Sequence, residues 1–159
     1  MKSLLFALLL LSGTNIFSQT LNPVSWKTSY VDKGNNEGEL VFTATIEDKW
    51  HIYSQKATAD GPIPTSFTVT PNTADFELVG KVEEGQAHEE YVKAFEAKIF
   101  LFDHQAVFKQ KIKRHNSKPF VVNAKLEYMS CNDSQCLPPK TLDMPVNVPA
   151  KTQIRTKLD

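Results

Sequence analysis

Apolar and polar side chains alternate with a period of two through most of the chain, the pattern of strands buried on one face and wet on the other. It is clearest at Leu40, Phe42, Ala44 and Ile46, at Phe67 and Val69, at Val122, Ala124, Leu126 and Tyr128, and at Leu142, Met144, Val146 and Val148. Val24, Trp26, Thr28 and Tyr30 give a weaker first strand, and Lys98 to Phe102 followed by Ala106 to Ile112 read as two more. Turn-forming residues punctuate these runs: Lys33 to Gly38 with two asparagines, Asp60 to Pro64, Pro71 with Asn72, and Asn116 to Pro119. The segment Glu83 to Phe95, with Glu83, Glu84, Glu89, Glu90 and Lys93, is short of strand signal and reads as one helical turn or a long loop. The spacing predicts roughly seven or eight short strands, and because one sheet cannot cover its own apolar face, they predict an antiparallel β-sandwich.

The first residues do not belong to that pattern. Lys2, an apolar run from Leu4 to Leu11, and the small or polar Ser12, Gly13 and Ser18 have the layout of a secretory signal peptide, so residues 1–19 are expected to be removed on export. That run is too short to span a bilayer, which takes about 20 apolar residues, and no later stretch approaches it. No cysteine stands near the cleavage point to carry a lipid. The expectation is one soluble domain over residues 20–150 and a polar tail over residues 151–159. A domain of that size buries a core without disulfide staples. Without Lys2 the chain has 17 basic against 18 acidic residues, a balance that favours neither nucleic acid nor an anionic membrane as partner.

The strongest chemical signal is the pair Cys131 and Cys136, in the stretch Tyr128-Met-Ser-Cys131-Asn-Asp-Ser-Gln-Cys136-Leu-Pro-Pro139, at a polar turn between two good strands. An exported protein lets such a pair oxidise. As a staple it is modest: closing a loop of about six residues contributes roughly 2 kcal/mol on the chain-entropy model, against about 4 to 5 kcal/mol for a loop of a hundred. Pro138 and Pro139 restrict the chain where the turn re-enters its strand. Three readings stay open on spacing alone: an exchanging redox pair, a local structural disulfide in a binding or assembly module, and a soft metal site. The last is disfavoured because zinc takes four ligands and His51, His88, His104 and His115 are scattered. Asp133 and Glu127 near the thiols, with Lys140 as the nearby cation, favour thiol over thiolate and hence slow exchange with random disulfides.

Five segments in register carry a family resemblance: Asp48-Lys-Trp-His-Ile-Tyr-Ser-Gln55, Asp60-Gly-Pro-Ile-Pro-Thr-Ser-Phe67, Phe76-Glu-Leu-Val-Gly80, Gly85-Gln-Ala-His-Glu-Glu90, and the cysteine hairpin ending in Cys136-Leu-Pro-Pro139. Together the chain resembles the N-terminal periplasmic domain of the thiol:disulfide interchange protein DsbD. The resemblance implies an immunoglobulin-like sandwich in the periplasm and a protein-disulfide reductase type of chemistry that needs no cofactor. It implies electrons arriving from a membrane-embedded transporter, through a thioredoxin-like domain, and leaving to thioredoxin-like periplasmic oxidoreductases. Cys136 is then the cysteine expected to form the mixed disulfide and Cys131 the one that resolves it. Tyr53 falls on a tyrosine that lines the family's site, and His51 lies two residues earlier, on the same face of a strand. Trp50 then points the other way, into the core. The family shields its cysteines with an aromatic cap loop, which resembles Glu89 to Phe95 here. Phe95 is expected to be the shielding ring, with Tyr91 as second choice and Glu89 and Glu90 lining the site. Glu96 stands where a glycine often follows the family's cap phenylalanine. Well-known members continue into membrane segments and a thioredoxin-like domain; since this sequence ends at Asp159, the expectation is that a separate membrane protein reduces it or that the domain serves something other than electron delivery.

Overall fold

The structure is a computed structural model and describes residues 21–56 and 61–151. The expected signal peptide, the tail beyond Lys151 and the start of the Asp60 to Pro64 turn lie outside the described residues. In chain order the strands are β1 (Val24–Gly34), β2 (Glu37–Ile46), β3 (His51–Tyr53), β4 (Ser66–Val69), β5 (Phe76–Glu84), β6 (His88–Val92), β7 (Ala97–Asp103) and β8 (Gln105–Arg114). They continue as β9 (Phe120–Val122), β10 (Ala124–Tyr128), β11 (Ser130–Cys131), β12 (Lys140–Asp143) and β13 (Val146–Val148), with one 3₁₀ turn, Lys93–Phe95, between β6 and β7.

Two four-stranded sheets run in the orders β1-β2-β8-β5 and β11-β3-β7-β6; a three-stranded sheet runs β12-β10-β4 and a two-stranded one β13-β9. Every ladder is antiparallel. The alternating residues face inward as the period requires: Leu40, Phe42, Ala44 and Ile46 from β2 and Phe108 and Ile112 from β8 meet Val122, Ala124, Leu126, Tyr128, Val146 and Val148 from the opposing strands. Trp50 joins this core, as expected. The architecture is an immunoglobulin-like antiparallel sandwich with a cysteine-bearing hairpin. At the first hairpin, Asn35 and Asn36 both take positive φ (50° and 67°), the conformation a two-residue turn demands and one that Asn tolerates.

Strands outnumber those expected, for three physical reasons. Two long alternations keep their inward parity but change ladder partners midway. Asn123, between β9 and β10, accepts the Thr70 N–H at 2.9 Å, and Pro145, between β12 and β13, has no N–H to offer a ladder while its carbonyl accepts the Thr28 hydroxyl at 2.8 Å. On β5, Phe76 is buried and Leu78 and Val82 pack against the core, although the register slips between Val79 and Glu83 around Gly80 at φ +69°. The segment Glu83 to Phe95 corrects the loop reading: Glu83 and Glu84 complete β5, His88–Val92 is a strand, and the helical turn is confined to Lys93–Phe95. β6 is an edge strand whose first four residues are exposed, so no alternation betrays it.

Candidate functional site

The chain passes from one sheet to another at Met129. β10 pairs with β12 and β4, whereas β11, two residues on, pairs with β3: Ser130 opposite Ile52 and Cys131 opposite His51. The tip of the cysteine hairpin therefore leans onto the neighbouring sheet. Asn132 shapes that tip, its side-chain oxygen accepting the N–H groups of Ser134 and Gln135, both at 2.9 Å, while its own N–H donates to the Gln135 carbonyl at 2.9 Å. The Leu137 N–H closes the turn on the Ser130 carbonyl at 2.9 Å. Pro138 and Pro139 follow unpaired and exposed, and the strand resumes at Lys140, where the two prolines place it.

Cys131 and Cys136 are disulfide-bonded. Their surroundings differ: Cys131 is 1% exposed, and Cys136 is exposed at the tip. Cys131 belongs to a small apolar cluster with Tyr53, Ile99 and Leu101, against which Val92, Phe95, Ala97 and Met129 pack. Register explains the membership. Residues directly opposite one another in a sheet share a face, and the ladders align Cys131 with His51 and Asp103, Tyr53 with Leu101 and His88, Ile99 with Glu90, and Ala97 with Val92. Ile52 and Phe102 lie on the other face, in the main core. The redox pair thus sits on the outer face of a sheet whose inner face closes the sandwich.

The same parity sorts the expected site residues. Phe95, carried back over the outer face by the 3₁₀ turn, meets the Tyr53 ring edge-on at a centroid distance of 6.0 Å. Tyr91 is 60% exposed and lies with Glu89 on the opposite face, where Glu89 pairs with Lys98 at 3.3 Å. Glu90 shares the outer face, lining a pit of about 180 Å³ with His51, Asp103 and Asp133. Glu127 is on the solvent face of β10, between Ser66 and Thr141. Lys140 donates to the Asn22 side-chain oxygen at 2.9 Å, and a cation not singled out from sequence, Lys49, lines the pit. Glu96 adopts the left-handed conformation (φ 50°, ψ 31°), so the backbone here keeps the shape that glycine makes easy.

Tyr53 and His51 are hydrogen-bonded, hydroxyl to Nε2, at 3.0 Å. Burial pushes the Tyr53 phenol up to about 12. Burial also lowers the His51 imidazole below its ordinary value; Glu90, Asp133 and Asp103 pull it back up, and His88 opposes them. On the other flank of the hairpin, Leu21, Pro23, Tyr128, Leu137, Pro138 and Pro139 line an open groove of about 320 Å³. Sequence reasoning missed Ile99 and Leu101 as the floor of the site and Met129 as part of its cover. The run Ile99-Phe-Leu-Phe102 carried the signal, since an uninterrupted apolar run marks a strand covered on both faces.

Two solved structures share this architecture. The N-terminal domain of DsbD from Neisseria meningitidis, in its reduced form, superposes with a TM-score of 0.50 at 15% identity, over 77% of this chain and 86% of that one. The N-terminal periplasmic domain of ScsB from Proteus mirabilis gives 0.52 at 15% identity, over 80% of this chain and 47% of that one. At such identities the likeness speaks for the fold alone. No curated protein matches the sequence. The profile of one family does match, over residues 20–147, a span holding all of the sandwich but the last residue of β13, with both cysteines and the outer-face cluster. The chain belongs to that family, the N-terminal domain of the thiol:disulfide interchange protein DsbD.

Proposed function

We propose that the Cys131–Cys136 pair exchanges electrons with thioredoxin-like protein partners in the bacterial periplasm, Cys136 forming the mixed disulfide and Cys131 resolving it. The carrying observation is the asymmetry of the pair: one sulfur buried in an apolar cluster, the other exposed at a turn. In the reduced domain the Cys136 thiolate attacks a partner disulfide, and the partner's second sulfur leaves with the bonding electrons. Cys131 then attacks the Cys136 sulfur, restoring the internal disulfide and releasing the partner as a dithiol; two electrons pass per cycle and no cofactor is required. Electrons return to the pair from a membrane-embedded transporter by the same exchange run in reverse. Residues 1–19 direct the chain to that compartment.

Phe95 covers the cluster that holds Cys131, and Tyr53, His51 and Glu90 line it. The carboxylates of Glu90 and Asp133, in the pit beside His51 and so next to the strand position of Cys131, disfavour a free thiolate, and rapid exchange depends on a docked partner. The groove of Leu21, Leu137, Pro138 and Pro139 offers apolar surface directly beside Cys136 for that partner to cover.

Incubation of the reduced Cys131→Ser variant with an oxidised thioredoxin-like protein should accumulate a mixed disulfide on a non-reducing gel, and Cys136→Ser should form none. The wild-type pair should equilibrate well above about −300 mV in thiol buffers, in the range of labile disulfides. Exchange by Cys136→Ser at the wild-type rate, or a potential below that range, would leave the domain as a binding module with a structural bond.

A further inference from the structure

We propose that His51 is the base of the resolving step, receiving through the Tyr53 hydroxyl the proton that Cys131 gives up. This rests on the assignment of Cys131 as the resolving cysteine. A sulfur 1% exposed among apolar side chains disfavours the thiolate, so Cys131 must lose its proton as it attacks rather than beforehand. The protic side chain inside its cluster is Tyr53. A phenol held at about 12 does not persist as phenolate, so Tyr53 can take a proton only if it passes its own onward in the same event. Its hydroxyl meets His51 Nε2 at 3.0 Å, and His51, opposite Cys131 in the ladder and half-buried, reaches the polar pit. The tautomer with hydrogen on Nδ1 presents Nε2 as an acceptor.

Facing His51 are Glu90 and His88 from β6, Asp103 from β7 and Asp133 from the cysteine turn, with Lys49 and His104 on the rim of the pit. Burial keeps the imidazole neutral around pH 7, ready to accept, and the three carboxylates stabilise the imidazolium once it forms. The step balances. The Cys131 S–H bond breaks as an O–H bond forms on Tyr53, whose original proton moves to Nε2. The freed electron pair on the Cys131 sulfur attacks the Cys136 sulfur, the mixed disulfide breaks, and the partner's sulfur leaves as thiolate. His51 then returns the proton to water in the pit.

The test follows the full reduced protein in a stopped-flow mixer with one equivalent of dithionitrobenzoate, an aromatic disulfide whose released thiolate is coloured. A first release reports attack by Cys136, and a second, unimolecular release reports resolution by Cys131. In the wild type the second rate should rise with pH through an inflection below 6.5, as His51 becomes neutral. His51→Gln keeps a hydrogen-bonding partner for Tyr53 but cannot accept a proton; it should leave the first phase unchanged, erase that inflection and slow the second phase about tenfold or more. Tyr53→Phe, which retains the ring, should slow it similarly and serves where His51→Gln fails to fold. A second phase in both variants with the wild-type rate and pH profile overturns the proposal while leaving the exchange function intact. Absence of any second release from the wild type instead removes the resolving role of Cys131, and the proposal with it.

Discussion

Two apolar clusters share this molecule, and they are built differently. The larger gathers nineteen buried residues between opposing sheets, so its side chains are enclosed from both sides. The smaller has four, Tyr53, Ile99, Leu101 and Cys131, resting on the outer face of one sheet and roofed by a turn and Met129. Each area of apolar surface contributes alike when buried, so the larger cluster dominates stability. The smaller one is closed by so little that its cover can govern access to a sulfur. Division of labour between a core that holds and a cluster that admits is what the contrast teaches, and it can be broken or sharpened in measurable steps.

The sharpest break is Phe108→Ala, which removes a ring that is fully buried and packs against Trp26, Phe67 and Phe102. It should cost about 3 to 5 kcal/mol in denaturant unfolding, while the surviving folded fraction keeps its rate of reduction by dithiothreitol. Replacing both cysteines by alanine should cost about 2 kcal/mol, the entropy of a short loop, measured the same way; a loss near that of Phe108→Ala would make the disulfide a main support of the fold. Phe95→Ala should lower stability by only about 1 kcal/mol, since the ring is half-buried, yet speed reduction of the disulfide by small thiols. Equal rates in wild type and variant would deny Phe95 its role as cover.

Smaller still, Glu96→Gly should stabilise by up to about 1 kcal/mol, because a side-chain-bearing residue is held there at φ 50°. The gentlest perturbation is pH. The folded imidazole of His51 titrates below the unfolded value of 6.5, so between the two the unfolded chain binds more protons. Stability is therefore full above about pH 6.5 and declines as pH falls through the folded value, a slope that His51→Gln should flatten in unfolding curves taken across that interval.

The larger cluster was legible in the local pattern, and the smaller only where the family resemblance named Cys131, Tyr53 and Phe95, for reasons of parity. Alternation at Leu40 to Ile46 and at Val122 to Tyr128 states which residues face inward without any knowledge of neighbours. Membership of the outer cluster depends on which strands lie beside which, and local pattern does not contain that. Glu89 and Glu90 are adjacent in sequence and on opposite faces, and Tyr91 and Phe95 are both aromatic beside the same charged segment. Only the ladder of β6 with β7 and the turn after it bring Phe95 against the cluster of Cys131 and Glu90 into the pit beside His51, and leave Glu89 and Tyr91 in solvent. The cysteine turn itself was legible because its makers are local: Asn132 and the two prolines act on their own neighbours.

β7 is a wall with two rooms. Phe102 faces the main core and Ile99 and Leu101 face the redox cluster, from alternate positions of one strand. Both sides are closed to solvent, Ile99 and Leu101 as fully as Phe102, so a change on either side of β7 is felt as lost packing, but only on the outer side does it also reach the sulfur. One strand thereby ties the rigidity of the sandwich to the setting of its reactive bond.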